Sequence, residues 1–282
     1  MQQLCTNHRQ QPPGAVLLVT PEDATYRRAH DTADRVRHAL VRAAVAVDTV
    51  DQGRQYDLAI AIGGDGTMMH AITKLSLRSI PTLGVNAGQV GFLTSAEATN
   101  WQQVVDHVTA GAYQLEDRLG LLAEISDFSI GPIANEVVVR HLSSVATLAV
   151  ASGGQIFYQG LQGDGVLVAT ATGSTGYNTS ANGPIILPGS GNVVITPLNP
   201  LSLATRPIVS HDVIEGRDIT ITLVDSKRNE PVMVITDGAV SGHRLAVGES
   251  IVLRQYPQPL RFATFGTAQY AQALVEKKGF AR

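Results

Sequence analysis

The sequence predicts an α/β domain with a Rossmann-like parallel sheet, followed by an all-β domain of the β-sandwich type. Over roughly the first 110 residues, short apolar strand patterns alternate with longer helical patterns, as in βαβ units. From Leu119 to Phe262, short β-rich segments are separated by turn residues and show little helical periodicity. We expect domains at 1–118 and 119–264, with 265–282 returning to the first domain as a helix.

The first domain is expected to alternate strands with helices from Ala15 onward. Either Thr99 or Asn100 is a candidate capping residue for the last helix. The predicted strands are Ala15–Val19, Val45–Val50, Leu58–Ile62 and Pro81–Asn86, and the predicted helices are Ala24–Ala44, Thr67–Leu77 and Thr99–Ala110.

The second domain is expected to consist of short strands. These are Leu121–Ile125, Val137–Arg140, Thr147–Ala151, Val166–Ala169, Val193–Thr196, Asp218–Val224, Pro231–Thr236 and Ser250–Gln255. After them, Ala268–Lys278 regains a helical pattern, with Gly279 as its stop signal.

The amino-acid composition favours a globular protein and argues against some classes of partner. Of the 282 residues, 44% are hydrophobic and 16% are charged, which is typical of a globular chain and not of a disordered one. The net charge of −3 and the absence of a Lys/Arg block argue against nucleic-acid or anionic-membrane partners. A single cysteine, Cys5, indicates a reducing compartment. Because no secretory signal or 18-residue apolar run is visible, we expect a cytoplasmic protein.

The segment Gly63–Thr67, GGDGT, carries the most specific chemical signal of the first domain. It follows a predicted buried strand, and ligands of open α/β sheets gather at the carboxyl ends of strands. Its glycines let a phosphate approach the main chain, and the helix that follows attracts anions. Asp65 puts a carboxylate where a phosphate and a hydroxyl could meet, so we predict phosphoryl transfer. A purely structural turn is the alternative, and neither a Walker sequence nor GxGxxG is present.

Residues 163–185 hold a second cluster of candidate ligand-binding groups. Gly163-Asp164-Gly165 precedes a predicted strand, and hydroxyl residues then alternate with glycines through TATGSTGYNTS. This density of hydroxyls and backbone N–H groups suits a ligand with many acceptors, such as a nucleotide. A Ser/Thr-rich loop is the alternative, and Tyr177 could lie either against a base or in the core.

Three weaker patterns complete the set of candidates. Asn135 and Glu136 enter a predicted strand, a pair that by itself indicates only a turn and a strand. Thr236-Asp237-Gly238 predicts a hairpin turn. The eight histidines lack HExxH spacing, so a metal cage is not predicted.

Together and in this order, the motifs resemble those of the NAD kinases, which use ATP or sometimes polyphosphate to convert NAD to NADP. The likeness covers about residues 57–240. The matching residues are GGDGT at 63–67, N-x-G-x-x-GFLT at 86–94, NE at 135–136, GDG at 163–165, TGSTGY at 172–177 with Ser180, Gly183 and Pro184, and RP at 206–207.

The resemblance implies an α/β domain, a β-sandwich domain and a returning helix, and it implies roles for individual residues. Asp65 would be the catalytic acidic residue beside the ribose 2′-hydroxyl. Asp164 would contact NAD, commonly across a subunit boundary in a homodimer or homotetramer. The other implied nucleotide contacts are Gly64, Gly66, Thr67, Phe92, Asn135, Glu136, Thr172, Thr175, Gly176, Tyr177 and Ser180. The substrates would be NAD and ATP, with Mg²⁺ on the donor phosphates.

Several positions depart from the usual pattern of that family. Gln89 replaces an Arg, Gly176 replaces an Ala, Ala239 replaces a Gln, and Gln162 occupies a place that is often basic. These departures leave the choice between NAD and NADH and the affinity for phosphate open.

The motifs are compatible with two other functions besides in-line phosphoryl transfer to a ribose hydroxyl. A lipid or diacylglycerol kinase would share GGDGT and a β-rich second domain, but no apolar membrane-docking stretch is visible. A non-catalytic dinucleotide sensor would keep the pocket, and the presence of Asp65 argues against it.

Overall fold

The computed structural model describes residues 5–6, 10–89, 91–266 and 274. The chain divides into two compact units, Met1–Asp117 with Leu260–Arg282, and Arg118–Pro259. Apart from Leu274, the predicted helix Ala268–Lys278 lies outside the described residues. No helix within the described ranges is long and apolar enough to cross a membrane.

Helices and strands alternate in the first unit, whereas the second unit consists mainly of strands. The strands are β1 (Cys5–Thr6), β2 (Ala15–Val19), β3 (Ala46–Asp48), β4 (Leu58–Gly63), β5 (Thr82–Asn86), β6 (Ala96–Glu97), β7 (Gln114–Arg118), β8 (Leu121–Ile125), β9 (Phe128–Ile133), β10 (Glu136–Arg140), β11 (Ala146–Ser152), β12 (Gln155–Gly163), β13 (Gly165–Thr170), β14 (Val193–Leu198), β15 (Ile208–Ser210), β16 (Ile219–Ser226), β17 (Val232–Thr236), β18 (Ala239–Leu245), β19 (Ser250–Gln255) and β20 (Leu260–Thr264). The α-helices are α1 (Arg27–Arg42), α2 (Asp65–Ser76), α3 (Trp101–Thr109) and α4 (Tyr177–Ser180).

The first unit is built on an eight-stranded sheet in the order β1-β7-β20-β5-β4-β2-β3, with β6 beside β5. The central pairs β2–β3, β2–β4, β4–β5 and β5–β20 are all parallel. Every residue of β4 is buried, as expected for a central parallel strand that is covered on both faces. Apolar residues of α1 and α3, such as Val36 and Val104, share one core with Leu18, Ile60 and Val85 of the sheet. The predicted α/β domain is therefore confirmed.

Of the two capping candidates for α3, Asn100 occupies the N-cap position, as predicted, but its side chain makes no capping hydrogen bond. A 3₁₀ turn, Ala98–Asn100, precedes the helix and gives Asn100 φ −103° and ψ 24°. This backbone differs from the extended conformation from which a capping side chain reaches the second or third helical N–H.

The second unit is a sandwich of two six-stranded antiparallel sheets. Their orders are β15-β14-β13-β10-β17-β18 and β12-β11-β16-β19-β8-β9. Alternate residues of both sheets form a shared core that includes Val137, Val166, Leu148 and Ile221. The predicted β-sandwich is confirmed, since this alternation is the pattern of a two-layer antiparallel fold.

Some strands were not predicted, and one lies in a different sheet from the one expected. Strand β12 is mostly exposed and lacks a clean alternation, so its sequence carries little strand signal. Leu260–Thr264 was assigned to the β-rich domain, but β20 pairs in parallel with β5 in the first sheet. That pairing joins residues about 180 positions apart, which no local pattern reports. The other unpredicted strands are β1, β6, β7, β9, β15 and β18.

Candidate active site

The GGDGT motif forms the turn between β4 and α2. Gly63 is the last residue of β4, and a Cβ there would collide with the side chain of Thr67, so only glycine fits. Gly64 is the N-cap of α2, and no side chain caps this end of the helix. The first-turn N–H groups and the positive end of the helix dipole are therefore available to an anion.

The Asp65 carboxylate holds the segment that follows β5. Its Oδ2 accepts a hydrogen bond from the N–H of Phe92 at 3.1 Å, and its Oδ1 accepts one from the N–H of Leu93 at 2.9 Å. A carboxylate oxygen has two lone pairs, so each oxygen can still accept one more hydrogen. Asp65 therefore anchors the backbone of Phe92 and Leu93, a role that the motif does not reveal. It also keeps the capacity to accept a proton.

Asn86 packs closely against Gly88 and Gly91. The buried Asn86 accepts a hydrogen bond from the N–H of Gly88 at 3.0 Å and donates to both Glu97 oxygens at 3.1 Å. A Cβ at Gly91 would come within 2.8 Å of Asn86 Cγ, so this glycine permits the close approach. Nothing in the sequence singles out Glu97, which fixes the orientation of the Asn86 amide.

In the second unit the structure brings the NE pair and the TGSTGY stretch together. The Thr170 hydroxyl donates to the Ala134 carbonyl at 2.6 Å, and the Thr170 N–H donates to the Asn135 carbonyl at 2.8 Å. A Cβ at Gly173 would collide with the Asn135 backbone. Thr172 and Thr175 are buried here, whereas Gly176 and Ser180 are exposed.

Not every hydroxyl of this stretch is available for a ligand. The Ser174 hydroxyl donates to the Ala171 carbonyl at 2.7 Å and accepts from the N–H of Ile186 at 3.2 Å. Thr179 likewise donates to the Ser174 carbonyl at 3.0 Å. Part of the Ser/Thr density that suggested a ligand site therefore stabilises the loop itself.

Asp237 organises the NE pair from the other side. Asp237 and Gly238 have φ 49° and 77° and form the predicted hairpin turn between β17 and β18. The Asp237 carboxylate accepts backbone N–H bonds from Ala134 at 2.8 Å, Asn135 at 2.6 Å and Glu136 at 3.3 Å. The turn was predicted from the sequence, but the contacts of this carboxylate were not.

Glu136 is a buried carboxyl whose charge is poorly compensated. Its side chain is 6% exposed, and Oε2 has no hydrogen-bond partner within the part of the chain that the structure describes. Burial and, second, the Asp237 carboxylate raise the pKa of Glu136 to about 7. Burial also raises the pKa of Asp237, against the opposing effect of its three N–H donors. The site thus holds an acceptor without a partner at the edge of the TGSTGY loop.

We expect Glu136→Gln to change how the stability of the protein depends on pH. A carboxyl whose folded-state pKa is raised from 4.5 to about 7 binds more protons in the folded state across that window. The stabilisation of the folded state that this extra proton binding provides is therefore lost as pH rises through that window. The loss amounts to about 3 kcal/mol by pH 8. Urea denaturation without ligand should show the variant gaining stability relative to wild type between pH 5 and pH 8. An unchanged difference between the two pH values would contradict the shifted pKa.

Asp164 lies in a polar cluster at the end of β10. Arg140 contacts the Asp164 carboxylate at 3.6 Å and donates to the Tyr177 hydroxyl at 3.3 Å, and Asn199 donates to Asp164 at 2.7 Å. Tyr177 is 39% exposed, so the core placement considered for it is wrong. Arg140 was missed by sequence reasoning, although it pairs with Gly165 in the β10–β13 register and so lies next to Asp164.

Within the described ranges, no group of three or more His, Cys, Asp or Glu side chains could hold a metal ion.

Two family models match the chain. The ATP-NAD kinase N-terminal domain matches residues 3–113, and the ATP-NAD kinase C-terminal domain matches residues 134–261. The NAD kinase of Magnetococcus marinus is 34% identical over 260 residues, covering 89% of this chain and 84% of the relative. The NAD kinase of Methanopyrus kandleri is 35% identical over 234 residues, covering 82% and 80%.

Solved structures share the fold at lower sequence identity. The yeast NADH kinase complexed with NADH superposes with a TM-score of 0.80 at 21% identity, covering 97% of this chain and 89% of that chain. An NAD kinase from Archaeoglobus fulgidus in complex with ATP gives a TM-score of 0.72 at 24% identity, covering 93% and 98%. Since family models match both units and relatives match over most of their length, this chain belongs to the ATP-NAD kinase family.

Proposed function

We propose that this chain transfers the terminal phosphoryl group of ATP to the 2′-hydroxyl of the adenosine ribose of NAD, giving NADP. The observation that carries the proposal is that the Asp65 carboxylate stands at the carboxyl end of the buried strand β4 in a chain of the ATP-NAD kinase family. The uncapped N-terminus of α2 beside it supplies donors for phosphate oxygens.

Asp65 is the residue proposed to act on the reacting hydroxyl. Its two remaining acceptor positions allow it to take the proton from the 2′-hydroxyl while Phe92 and Leu93 hold its orientation. The freed oxygen then bonds to the γ-phosphorus, and the bond from that phosphorus to the β–γ bridging oxygen breaks to release ADP. Such a transition state is stabilised mainly by placement and charge neutralisation. Gly64, Gly66 and Thr67 would contribute backbone donors to the phosphates.

The second unit is proposed to hold the adenosine part of NAD. Glu136 Oε2 is buried and lacks a partner in the described part of the molecule, so a ligand hydroxyl or amine would complete its hydrogen bonding. A Cβ at Gly176 would lie 3.5 Å from this oxygen, so the glycine at that position leaves the oxygen more open than an alanine would. Asn135, Thr172 and Thr175 lie in the same cluster of motifs and are proposed to contact the nucleotide.

ATP is proposed as the donor, with Mg²⁺ entering on its phosphates as part of the substrate. The Archaeoglobus fulgidus neighbour of the same fold is bound to ATP. Contact of Asp164 and Tyr177 with NAD, a homodimeric or homotetrameric state and a cytoplasmic location stay predictions from the sequence and its resemblance.

Incubation with Mg-ATP and alternative acceptors tests the proposed activity directly. With γ-labelled ATP, we expect label in NADP when NAD is present and no label in lipid when diacylglycerol vesicles are supplied instead. Labelled phosphatidic acid would establish a lipid kinase. NAD binding by calorimetry with no NADP formed would establish a non-catalytic sensor.

A further inference from the structure

Asn86 and Glu97 face each other at the ends of the neighbouring parallel strands β5 and β6. They are register partners, and each is the last residue of its strand. The Asn86 Nδ2 donates to both carboxylate oxygens of Glu97 at 3.1 Å. Because β6 has only two residues, its backbone ladder with β5 is short, and this charge-assisted contact strengthens the junction between the two strand ends.

The Glu97 carboxylate decides which way the Asn86 amide is turned. A carboxylate only accepts hydrogen bonds, so the donating NH₂ group of Asn86 lies toward Glu97 and the amide oxygen lies on the other side. That oxygen accepts the N–H of Gly88 at 3.0 Å. An amide turned the other way would place its NH₂ group against the Gly88 N–H, leaving two donors without an acceptor between them.

The two residues that follow β5 contact the GGDGT turn directly. The N–H of Ala87 donates to the Gly63 carbonyl at 2.8 Å. A Cβ at Gly88 would lie 3.6 Å from the Gly64 Cα, so the two glycine backbones pack together. The Asn86 amide therefore bonds a backbone that rests on the turn carrying the proposed proton acceptor.

The same amide also packs against the residue that precedes the donors of Asp65. A Cβ at Gly91 would come within 2.8 Å of the Asn86 Cγ and 2.9 Å of its Nδ2. Gly91 is followed by Phe92 and Leu93, whose N–H groups bond the Asp65 carboxylate. Direct contacts thus lead from the amide to the side chain proposed to take the proton.

We propose that Glu97 is a positioning residue for phosphoryl transfer, acting through Asn86 to hold the backbone donors of Asp65 in place. This inference rests on the proposed kinase function. Each Asp65 oxygen uses one lone pair for a backbone N–H, so the position of those donors sets the direction of the lone pair that remains for the ribose hydroxyl. A misplacement of about 1 Å costs about a hundredfold in rate. Since Glu97 acts on the proton acceptor and not on substrate binding, its loss lowers kcat more than KM.

Exchanging the donor and the acceptor of this pair gives a specific test. Asn86→Asp places two carboxylates opposite each other, and Glu97→Gln removes the acceptor-only group that orients the amide. In the double variant, the introduced carboxylate accepts both the Gly88 N–H and the introduced amide NH₂. The hydrogen bonds are then restored with donor and acceptor exchanged, at the net charge of the wild type.

Glu124→Gln is the matched control. It makes the same chemical change in the second unit, at a carboxylate whose Oε2 pairs with Arg254 at 3.1 Å. For every variant, kcat and the KM values for NAD and ATP are measured in an NADP-forming assay. The backbone amide NMR resonances of Phe92 and Leu93 are recorded without ligand, and thermal melts confirm that each variant is folded.

We expect kcat to fall about a hundredfold in Asn86→Asp and about tenfold in Glu97→Gln, with both KM values within about threefold of wild type. The double variant should recover kcat to within about threefold of wild type, and Glu124→Gln should keep it. The Phe92 and Leu93 resonances should move in both single variants and return in the double variant.

A double variant no more active than Asn86→Asp, or Phe92 and Leu93 resonances that stay in place in the folded single variants, overturns the proposal even if the wild type forms NADP. If Asn86→Asp does not fold, unchanged kcat and resonances in Glu97→Gln overturn it. A wild type that forms no NADP refutes the kinase function, and the amide resonances then decide separately whether the pair holds the donors of Asp65.

Discussion

Asp65→Asn is expected to lower kcat for NADP formation about a thousandfold, because positioned general bases contribute roughly 10²–10⁴ to a rate. The amide cannot take the hydroxyl proton, yet it is nearly the same size as the carboxylate, so KM for NAD should change little. Steady-state kinetics with saturating Mg-ATP measures both constants. An unchanged kcat would refute the assignment of Asp65 as the proton acceptor.

The anchoring role of Asp65 requires a matched control, and Asp57 provides one. Asp57 precedes β4 as Asp65 follows it, and its Oδ2 accepts backbone N–H bonds from Gly14 and Ala15, both at 2.9 Å. In Asp65→Asn the amide N–H₂ must face one of the two backbone donors, because each carboxylate oxygen accepts from a different N–H group, and this costs about 1–3 kcal/mol. Asp57→Ala leaves the N–H groups of Gly14 and Ala15 without their acceptor, so it should also destabilise the protein while keeping kcat. A comparable loss of kcat in both variants would show that the effect is structural.

Asp237→Ala is expected to destabilise the second unit by about 3 kcal/mol or more and to raise KM for NAD about tenfold. The change leaves the N–H groups of Ala134, Asn135 and Glu136 without their common acceptor. The backbone of the NE pair then loses its fixed position, and the proposed adenosine contacts weaken with it. Urea denaturation measures the first effect, and NAD titration of the folded variant measures the second.

Asp127→Ala is the control for that change. Asp127 is an exposed residue of the two-residue turn between β8 and β9, as Asp237 is in the turn between β17 and β18. Its removal should affect stability by less than about 0.5 kcal/mol, the range for surface sites. If Asp127→Ala destabilises the protein as much as Asp237→Ala does, the three N–H contacts of Asp237 do not stabilise the protein more than an ordinary surface residue does.

The sequence predicted the parts of the fold that depend on local pattern. Strand β4 is a continuous apolar run that ends in glycines, and both its burial and the helix after it were predicted correctly. The bounds of β2, β8 and β19 were also predicted correctly, because each combines β-branched or aliphatic residues with clear turn signals. By contrast, β20 pairs with β5 through a long-range contact that leaves no local signature.

The residues of the candidate site likewise fall into those that the sequence could identify and those that it could not. Asp65, Asn135 and Glu136 could be selected because they lie in motifs whose order along the chain matches a family. Arg140, Glu97 and the carboxylate contacts of Asp237 could not, since each depends on which strands or loops become neighbours. The raised pKa of Glu136 likewise arises from burial and from Asp237, 101 positions away, and no spacing along the sequence encodes it.

A crystal structure of the protein with NAD and Mg-AMP-PNP bound is the decisive test of the role proposed for Asp65. We predict the 2′-oxygen of the adenosine ribose within hydrogen-bond distance, about 2.6–3.2 Å, of an Asp65 carboxylate oxygen. We also predict that the γ-phosphate of the analogue lies on the side of the ribose 2′-oxygen that faces away from Asp65 and its backbone donors. A coenzyme bound with this hydroxyl remote from Asp65, in an enzyme that forms NADP and loses activity in Asp65→Asn, would contradict that role.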